Sequence, residues 1–260
     1  MRTILLKIIN RLPNFVNLCL LSFNKYPNIL YGRSYKDYRQ FLSKQTHHYD
    51  PSTILIHTIN RAIKEIPFYK GAYGNLELQS VREFEEIIKF IDKDTILKHY
   101  GEFISPKIKI KDFDVGTTGG TSGKPLQFIA PKNRYVVEMA TMHSLWSRVG
   151  YNFHERATIR NHKLKNNNVY TINPITREFI FDGFRLNQEY FDQVYRVIKK
   201  YKIRFIHCYP STAFEFSEFL LERKYDASFI KAFLCGSENI FDYQIDLIQN
   251  RLGVCRTFPT

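Results

Sequence analysis

The chain has little cysteine, and none of it is arranged for a metal or a disulfide framework. Its four cysteines, Cys19, Cys208, Cys235 and Cys255, include no C-x-x-C spacing. That excludes a disulfide-framed secreted scaffold and leaves no zinc-finger or zinc-ribbon signature. Free thiols in a reducing compartment are expected. A zinc site built from His207, Cys208, Cys235 and Cys255 requires their strands to be neighbours. Long apolar runs are missing too. The best candidate, Phe15 to Phe23, is interrupted by Asn17 and Ser22 and is far shorter than the roughly 20 residues that span a bilayer. No small-x-small cleavage site follows it, so a signal peptide is not expected and the cytoplasm is the expected location. Repeats of fixed period and low-complexity tracts are absent.

Acidic residues are in deficit, 25 against 38 lysines and arginines, for a net charge of +13. The imbalance is local. Residues 1–50 hold eight basic residues against two acids, and residues 131–210 hold fourteen against six; residues 51–130 are nearly balanced, eleven to ten. Such an excess implies anionic partners: nucleotide phosphates, coenzyme A, an anionic membrane surface or nucleic acid. No nucleic-acid-binding motif is recognised, so nucleic acid is not expected.

What the sequence has in quantity is material for a core. In 260 residues, 22 Phe and 17 Tyr contribute to a hydrophobic content of 44%, which suits one large domain or two small ones. Ile4, Leu5, Ile8, Ile9 and Leu12 lie on one helical face and Lys7 and Arg11 on another. That opening suits either a membrane surface or packing on its own domain. Pro13 breaks the pattern or starts a second helix. Asp50-Pro51 begins a helix with an apolar stripe from Ile54 to Ile63, and Pro67 ends it. Ser80 and Glu83 match a capping box ahead of another.

The texture changes near residue 104. Ile108 to Val115 alternates in the period of a strand, and Leu126 to Ala130 reads as a second one. A helix fits 132–149, short strands fit 156–160, 168–172 and 178–181, and a helix fits 187–201. Then strand 204–208 precedes helix 211–223, strand 232–235 precedes helix 240–251, and a last core strand begins near Val254. This rhythm predicts an α/β fold, a largely parallel sheet with flanking helices over 104–260, preceded by a mainly helical lead over 1–103.

The most informative stretch is the loop Thr117-Thr118-Gly119-Gly120-Thr121-Ser122-Gly123-Lys124-Pro125. Three glycines allow successive N–H groups to converge on an anion, hydroxyls add donors, and Lys124 adds a mobile positive charge. It is a polyphosphate cradle, but not a Walker A loop, which requires glycine at Thr118 and a hydroxyl residue at Pro125. A plain hairpin is the alternative. His143, two turns beyond Tyr135, is read as a packed or surface histidine, and the run His162 to Asn168 as a solvated turn.

Thr118 to Pro125 resembles throughout the signature [ST]-[SG]-G-[ST]-[ST]-G-x-P of adenylate-forming enzymes. Pro67-Phe68-Tyr69, Glu138, Trp146, Gly150-Tyr151, Tyr209-Pro210-Ser211 and Gly236-Ser237-Glu238 extend the resemblance over residues 60–260. Together they look like the phenylacetate–CoA-ligase-like family and its capsular polysaccharide branch. The resemblance implies that Thr118, Gly119, Gly120, Thr121, Ser122, Gly123 and Lys124 hold the β- and γ-phosphates of ATP, with Lys124 catalytic. Gly236, Ser237 and Glu238 would line adenine and ribose, and Tyr209, Pro210 and Ser211 would border the pocket of a small carboxylic acid. Each of these six has a plainer alternative role. Gly236 could relieve a strand end, Glu238 open the next helix, and Ser211 serve as an N-cap.

The family's Tyr-Gly-x-[ST]-Glu element, whose Glu binds Mg²⁺, is expected beyond residue 260. So are its ribose-binding Asp and its C-terminal domain with a catalytic Lys. The chain is therefore read as an inactive fragment of an ATP-dependent ligase that forms an acyl-adenylate and then transfers the acyl group to coenzyme A or another acceptor. The alternative is a shortened, non-catalytic homologue acting as a scaffold, with peripheral membrane contact through its basic N-terminus.

Overall fold

The computed structural model describes residues 12–22, 27–45, 50–118, 125–165 and 167–257. The basic opening before Leu12 and the loop residues 119–124 lie outside them. The chain gathers into two compact units, one formed by residues 1–40 with 139–260 and the other by 41–138. Neither limit falls at residue 103, where the sequence changes texture; the later strands of unit 41–138 continue the helical segment before them.

Elements up to residue 112 are helical among the described residues: α1 (Asn14–Leu21), α2 (Pro27–Gln45, broken at Gly32), α3 (Pro51–Glu65), α4 (Pro67–Tyr73), α5 (Val81–Ile87) and α6 (Lys93–Lys98), then two short 3-10 turns. In unit 41–138 the helix limits follow from local chemistry. The Asp50 carboxylate accepts the N–H groups of Ser52 at 3.0 Å and Thr53 at 3.2 Å, Pro51 occupies the first turn, and Pro67 stops α3. At α5, Ser80 Oγ accepts the Glu83 N–H at 3.2 Å. Glu83 answers through the N–H of Gln79 at 2.9 Å, one residue earlier than in the standard box. Asn60 on α3 exchanges two hydrogen bonds with the backbone of buried Leu78, at 2.8 and 2.9 Å.

Strands β1 (Phe113–Thr117) and β2 (Gln127–Pro131) pair antiparallel, Phe113 opposite Pro131 and Thr117 opposite Gln127. The strand predicted from Ile108 thus starts five residues later, and Ile110–Asp112 is a 3-10 turn. Pro131 has no N–H to carry the ladder further, so Ile110 is left without a strand partner and stands largely exposed.

The unit formed by 1–40 and 139–260 holds a six-stranded sheet in the order β4-β5-β3-β6-β7-β8. The strands are β3 (Arg156–Arg160), β4 (Tyr170–Asn173), β5 (Glu178–Asp182), β6 (Phe205–Cys208), β7 (Ala232–Cys235) and β8 (Cys255–Thr257). All are parallel except β4, which runs antiparallel to β5. Helices α7 (Arg134–Ser147), α8 (Gln188–Lys200), α9 (Pro210–Glu222) and α10 (Asp242–Ile245) complete the fold. The last expected helix is α-helical for only one turn and continues as a π-helix over Asp246–Arg251. Strand β8 is parallel, as expected, but among the described residues it is an edge strand and not a central one.

Period-two alternation divides the strands between two faces. Ala157, Ile159, Ile206, Cys208, Phe233 and Cys235 pack with Val194, Ile198, Phe216 and Leu220 of α8 and α9. Phe205, Ala232 and Leu234 face the other way, onto Trp146 and Tyr151. Each Phe fully buried here contributes about 1.5–3 kcal/mol. On β3 the sequence Arg-Ala-Thr-Ile-Arg sends its apolar residues to the first face and its polar ones to the second. Buried Arg156 is held there by Glu178 at 2.8 Å, by Tyr151 Oη at 2.8 Å and by the Thr176 carbonyl at 2.9 Å. Asn14 of α1 ties the helix to β4, donating to the Tyr170 carbonyl at 3.1 Å and accepting the Ile172 N–H at 3.2 Å.

Candidate functional site

The carboxyl ends of β3, β6 and β7 lie at one edge of the sheet because the three strands are parallel and nearly level. Ile159 is opposite Cys208, and Cys208 is opposite Cys235. The next residues, Arg160, Tyr209 and Gly236, therefore emerge side by side. From β3 the chain passes to β4 and β5 on one side of the sheet; from β6 it passes through α9 to β7 on the other. Adjacent strands whose connections part in this way leave a crevice at their carboxyl ends, the usual ligand position in open α/β sheets.

Two of the predicted segments meet at this edge. The Ser211 hydroxyl donates to Glu238 Oε2 at 2.7 Å, and the Ser211 N–H donates to the same oxygen at 3.2 Å. Glu238 thereby caps α9, whose N-cap is Tyr209, with Pro210 in the first turn. The simpler role considered for Ser211, as an N-cap, therefore falls to Tyr209 by backbone geometry. Glu238 does not open the next helix, which begins at Asp242. Ser237 adopts the left-handed region at φ 69°, which costs a residue other than glycine about 1–2 kcal/mol. Gly236 has open space where a Cβ would stand.

Arg160, which sequence reasoning missed, joins the two segments. Its guanidinium lies 4.4 Å from the centre of the Tyr209 ring, donates to Ser237 Oγ at 2.9 Å and to His207 Nε2 at 2.7 Å. Because Arg160 must donate, His207 Nε2 is the acceptor and Nδ1 carries the hydrogen. Burial, with the charges of Arg156, Arg160 and His162, drives the His207 pKa well below its ordinary value and keeps the ring neutral. Nδ1 is buried without a hydrogen-bond partner, and Trp146 meets the ring edge-on at 4.9 Å. The one signal in sequence was an arginine closing a strand; its neighbours follow only from strand order.

The segment after Arg160 is fixed from β5. A Cβ on Gly183 would stand 1.6 Å from the Arg160 carbonyl oxygen, so only glycine fits. The Gly183 N–H donates to the His162 carbonyl at 3.0 Å. Asp182 accepts the N–H groups of Leu164 and Phe184, both at 3.0 Å. Burial opposes the Asp182 charge, but these donors and Arg185 outweigh it and hold the pKa below the ordinary value. The polar turn around Lys163 and Lys165 is exposed, as expected.

Thr118 belongs to the other unit. Its N–H donates to the Leu126 carbonyl at 2.9 Å, and its Oγ1 accepts the Leu126 N–H at 3.0 Å, extending the β1–β2 pairing by one residue. Gly119, Gly120, Thr121, Ser122, Gly123 and Lys124 lie outside the described residues. His143 is buried and bonded through Nδ1 to Tyr35 Oη at 2.7 Å. Cys208 and Cys235 are buried free thiols on neighbouring strands, whereas Cys19 is exposed. Among the described residues no group of three or more His, Cys, Asp or Glu is placed to hold a metal ion, and no helix is long and apolar enough to cross a membrane.

No protein-family model matches the sequence, and no curated protein does. Solved structures do match. An open conformation of 2-hydroxyisobutyryl-CoA ligase in complex with 2-HIB-AMP and CoA aligns with a TM-score of 0.54 at 14% identity, over 78% of this chain and 50% of that one. The same ligase with these ligands in the thioesterification state gives 0.53 at 14% identity, over 77% and 46%. Its postadenylation state with 2-HIB-AMP gives 0.52 at 12%, over 77% and 46%. The chain thus has the α/β fold of the N-terminal domain seen in acyl-CoA-synthetase-like structures. The chain spans about half the length of the ligase structures it matches.

Proposed function

We propose that this chain is the N-terminal, nucleotide-facing part of an adenylate-forming ligase, which activates a small carboxylic acid with ATP and passes the acyl group to coenzyme A or another nucleophile. The observation that carries this reading is the meeting of Tyr209-Pro210-Ser211 with Gly236-Ser237-Glu238 at the carboxyl ends of β6 and β7. It occurs in a sheet with the fold of a ligase whose structures hold 2-HIB-AMP and CoA.

In this reading Gly236, Ser237 and Glu238 line adenine and ribose, while Tyr209, Pro210 and Ser211 border the acyl pocket. The open space beside Gly236 and the Tyr209 ring fit a planar base and an apolar acyl chain. Thr118 to Lys124 takes the β- and γ-phosphates, with Lys124 as the mobile charge. A carboxylate oxygen of the acid attacks the α-phosphorus, the bond to the bridging oxygen breaks, and pyrophosphate leaves with its electron pair. A thiol then attacks the acyl carbon and AMP departs. Charge gathers on phosphate oxygens in the first step, where each preorganised donor is worth about 2.7–4 kcal/mol. Mg²⁺ would accompany the ATP and add to the charge that offsets the phosphates.

A narrower form of the proposal, a place in capsule or surface-polysaccharide biosynthesis with the basic N-terminus at the inner membrane face, rests on the resemblance of residues 60–260 to that branch. The chemistry is tested by ATP–pyrophosphate exchange. Lys124→Ala should slow exchange by about 10–1000-fold. Unchanged exchange would remove Lys124 from the mechanism.

A further inference from the structure

Arg160 stands where the proposed acyl and nucleotide borders touch, and everything that holds it is neutral. Tyr209 offers a ring face, Ser237 a hydroxyl oxygen and His207 a ring nitrogen. Among the described residues no carboxylate lies within ion-pair distance of it. The acid nearest in sequence to Ser237, Glu238, is engaged with Ser211. Other arginines of the same unit are treated differently: Arg156 has Glu178, Arg177 has Glu155 and Arg185 has Asp182. A guanidinium carries five N–H donors and a full charge. The two hydrogen bonds of Arg160 leave donors unused and the charge uncompensated. Fixing its plane against an aromatic face, beside a histidine locked neutral, prepares a fork for a planar or tetrahedral oxyanion.

We propose that Arg160 binds the oxyanion at the junction of acid and nucleotide, either the substrate carboxylate or the phosphoryl group it attacks. This rests on the adenylate-forming reading. In that chemistry the junction bears negative charge before, during and after bond formation, so a fixed cation there serves every stage. His207 is a positioning residue: its Nε2 lone pair orients one arm of the fork, and Trp146 holds its ring.

The test is calorimetric titration of the full chain with matched pairs that differ only in the anion: AMP against adenosine, and isobutyrate against isobutyramide. In the wild type at least one anion should be preferred by about tenfold or more, the range of a charge-assisted hydrogen bond. Arg160→Gln should remove that preference while leaving adenosine affinity within about twofold. A merely structural role for Arg160 would weaken both members of a pair alike. Arg160→Lys, which keeps charge without the fork, should retain part of the preference and serves if the Gln variant does not fold. The pair that responds identifies phosphate or carboxylate as the ligand group. If adenosine binds but neither anion is preferred, or if the preference survives in Arg160→Gln, the Arg160 assignment is wrong and the nucleotide reading stands. If an Arg160-dependent isobutyrate preference appears without binding of adenosine or AMP, the oxyanion site stands and the nucleotide reading falls. Binding of none of the four ligands overturns both.

Discussion

At the scale of single residues, the polar groups buried in this fold set its response to acid. His143 is buried, and burial foremost, then the charges of Arg156 and Arg39, lowers its pKa from 6.5 to about 3. Between those values the unfolded chain binds a proton that the folded chain does not. Stability is therefore fully present above about pH 6.5 and falls as pH drops toward 3, at about 1.4 kcal/mol per pH unit for one such group. His207 acts in the same direction. Denaturant unfolding between pH 6 and 4.5 should accordingly show a steep loss in the wild type and a slope shallower by about that amount in His143→Phe. Equal slopes would mean that His143 is protonated in the folded state. The sequence suggested a packed or surface histidine at 143 and did not single out Arg160. Both roles depend on partners far along the chain, Tyr35 for one and Ser237 for the other, and no local pattern encodes such pairs.

At the scale of elements, legibility followed the range of the forces involved. The limits of α3 were set by Asp50, Pro51 and Pro67, groups that act within a few residues, and they were read correctly. Strand β7 was read to the residue, Ala232 to Cys235, because a short apolar run between polar flanks has one way to be buried. The run from Ile108 failed because alternation shows which face a strand would bury but not whether a partner exists. The partner ends at Pro131. The π-helical turn at Asp246–Arg251 left no mark in the apolar spacing that predicted a helix there. Glu238 shows an element held across sequence, since its carboxylate supplies the cap that Tyr209 cannot. Glu238→Ala should destabilise the unit by about 1 kcal/mol, and Glu238→Gln, which keeps an acceptor, by less. Thermal unfolding of the two variants separates them, and equal losses would indicate that the charge, not the hydrogen bond, is what α9 requires.

At the scale of the whole molecule, the parallel sheet was legible from the rhythm of strands and helices, but its order was not. The path from β3 out to β4 and β5, then back past β3 to β6, is fixed by long-range packing, and that order sends the connections after β3 and β6 in opposite directions. The uneven positive charge implied an anionic partner, and the structure offers it two destinations in the same unit. One is Arg160 with its neutral neighbours at the carboxyl ends of the strands. The other is a cavity of about 610 Å³ whose lining includes Lys199, Lys202, Arg204 and Lys231 with Asp226 and Phe229, beside the amino ends of β6 and β7. Charge attracts to both; the first adds the open space beside Gly236, whereas the second also carries the opposing charge of Asp226. Photolabelling with 2-azido-ATP, followed by mass spectrometry of the labelled peptides, distinguishes them most directly. Label within residues 209–211 or 236–238, suppressed by excess ATP, is the predicted result. Label confined to the rim around Lys199 and Lys231, or label at the predicted peptides that ATP does not suppress, would contradict the account.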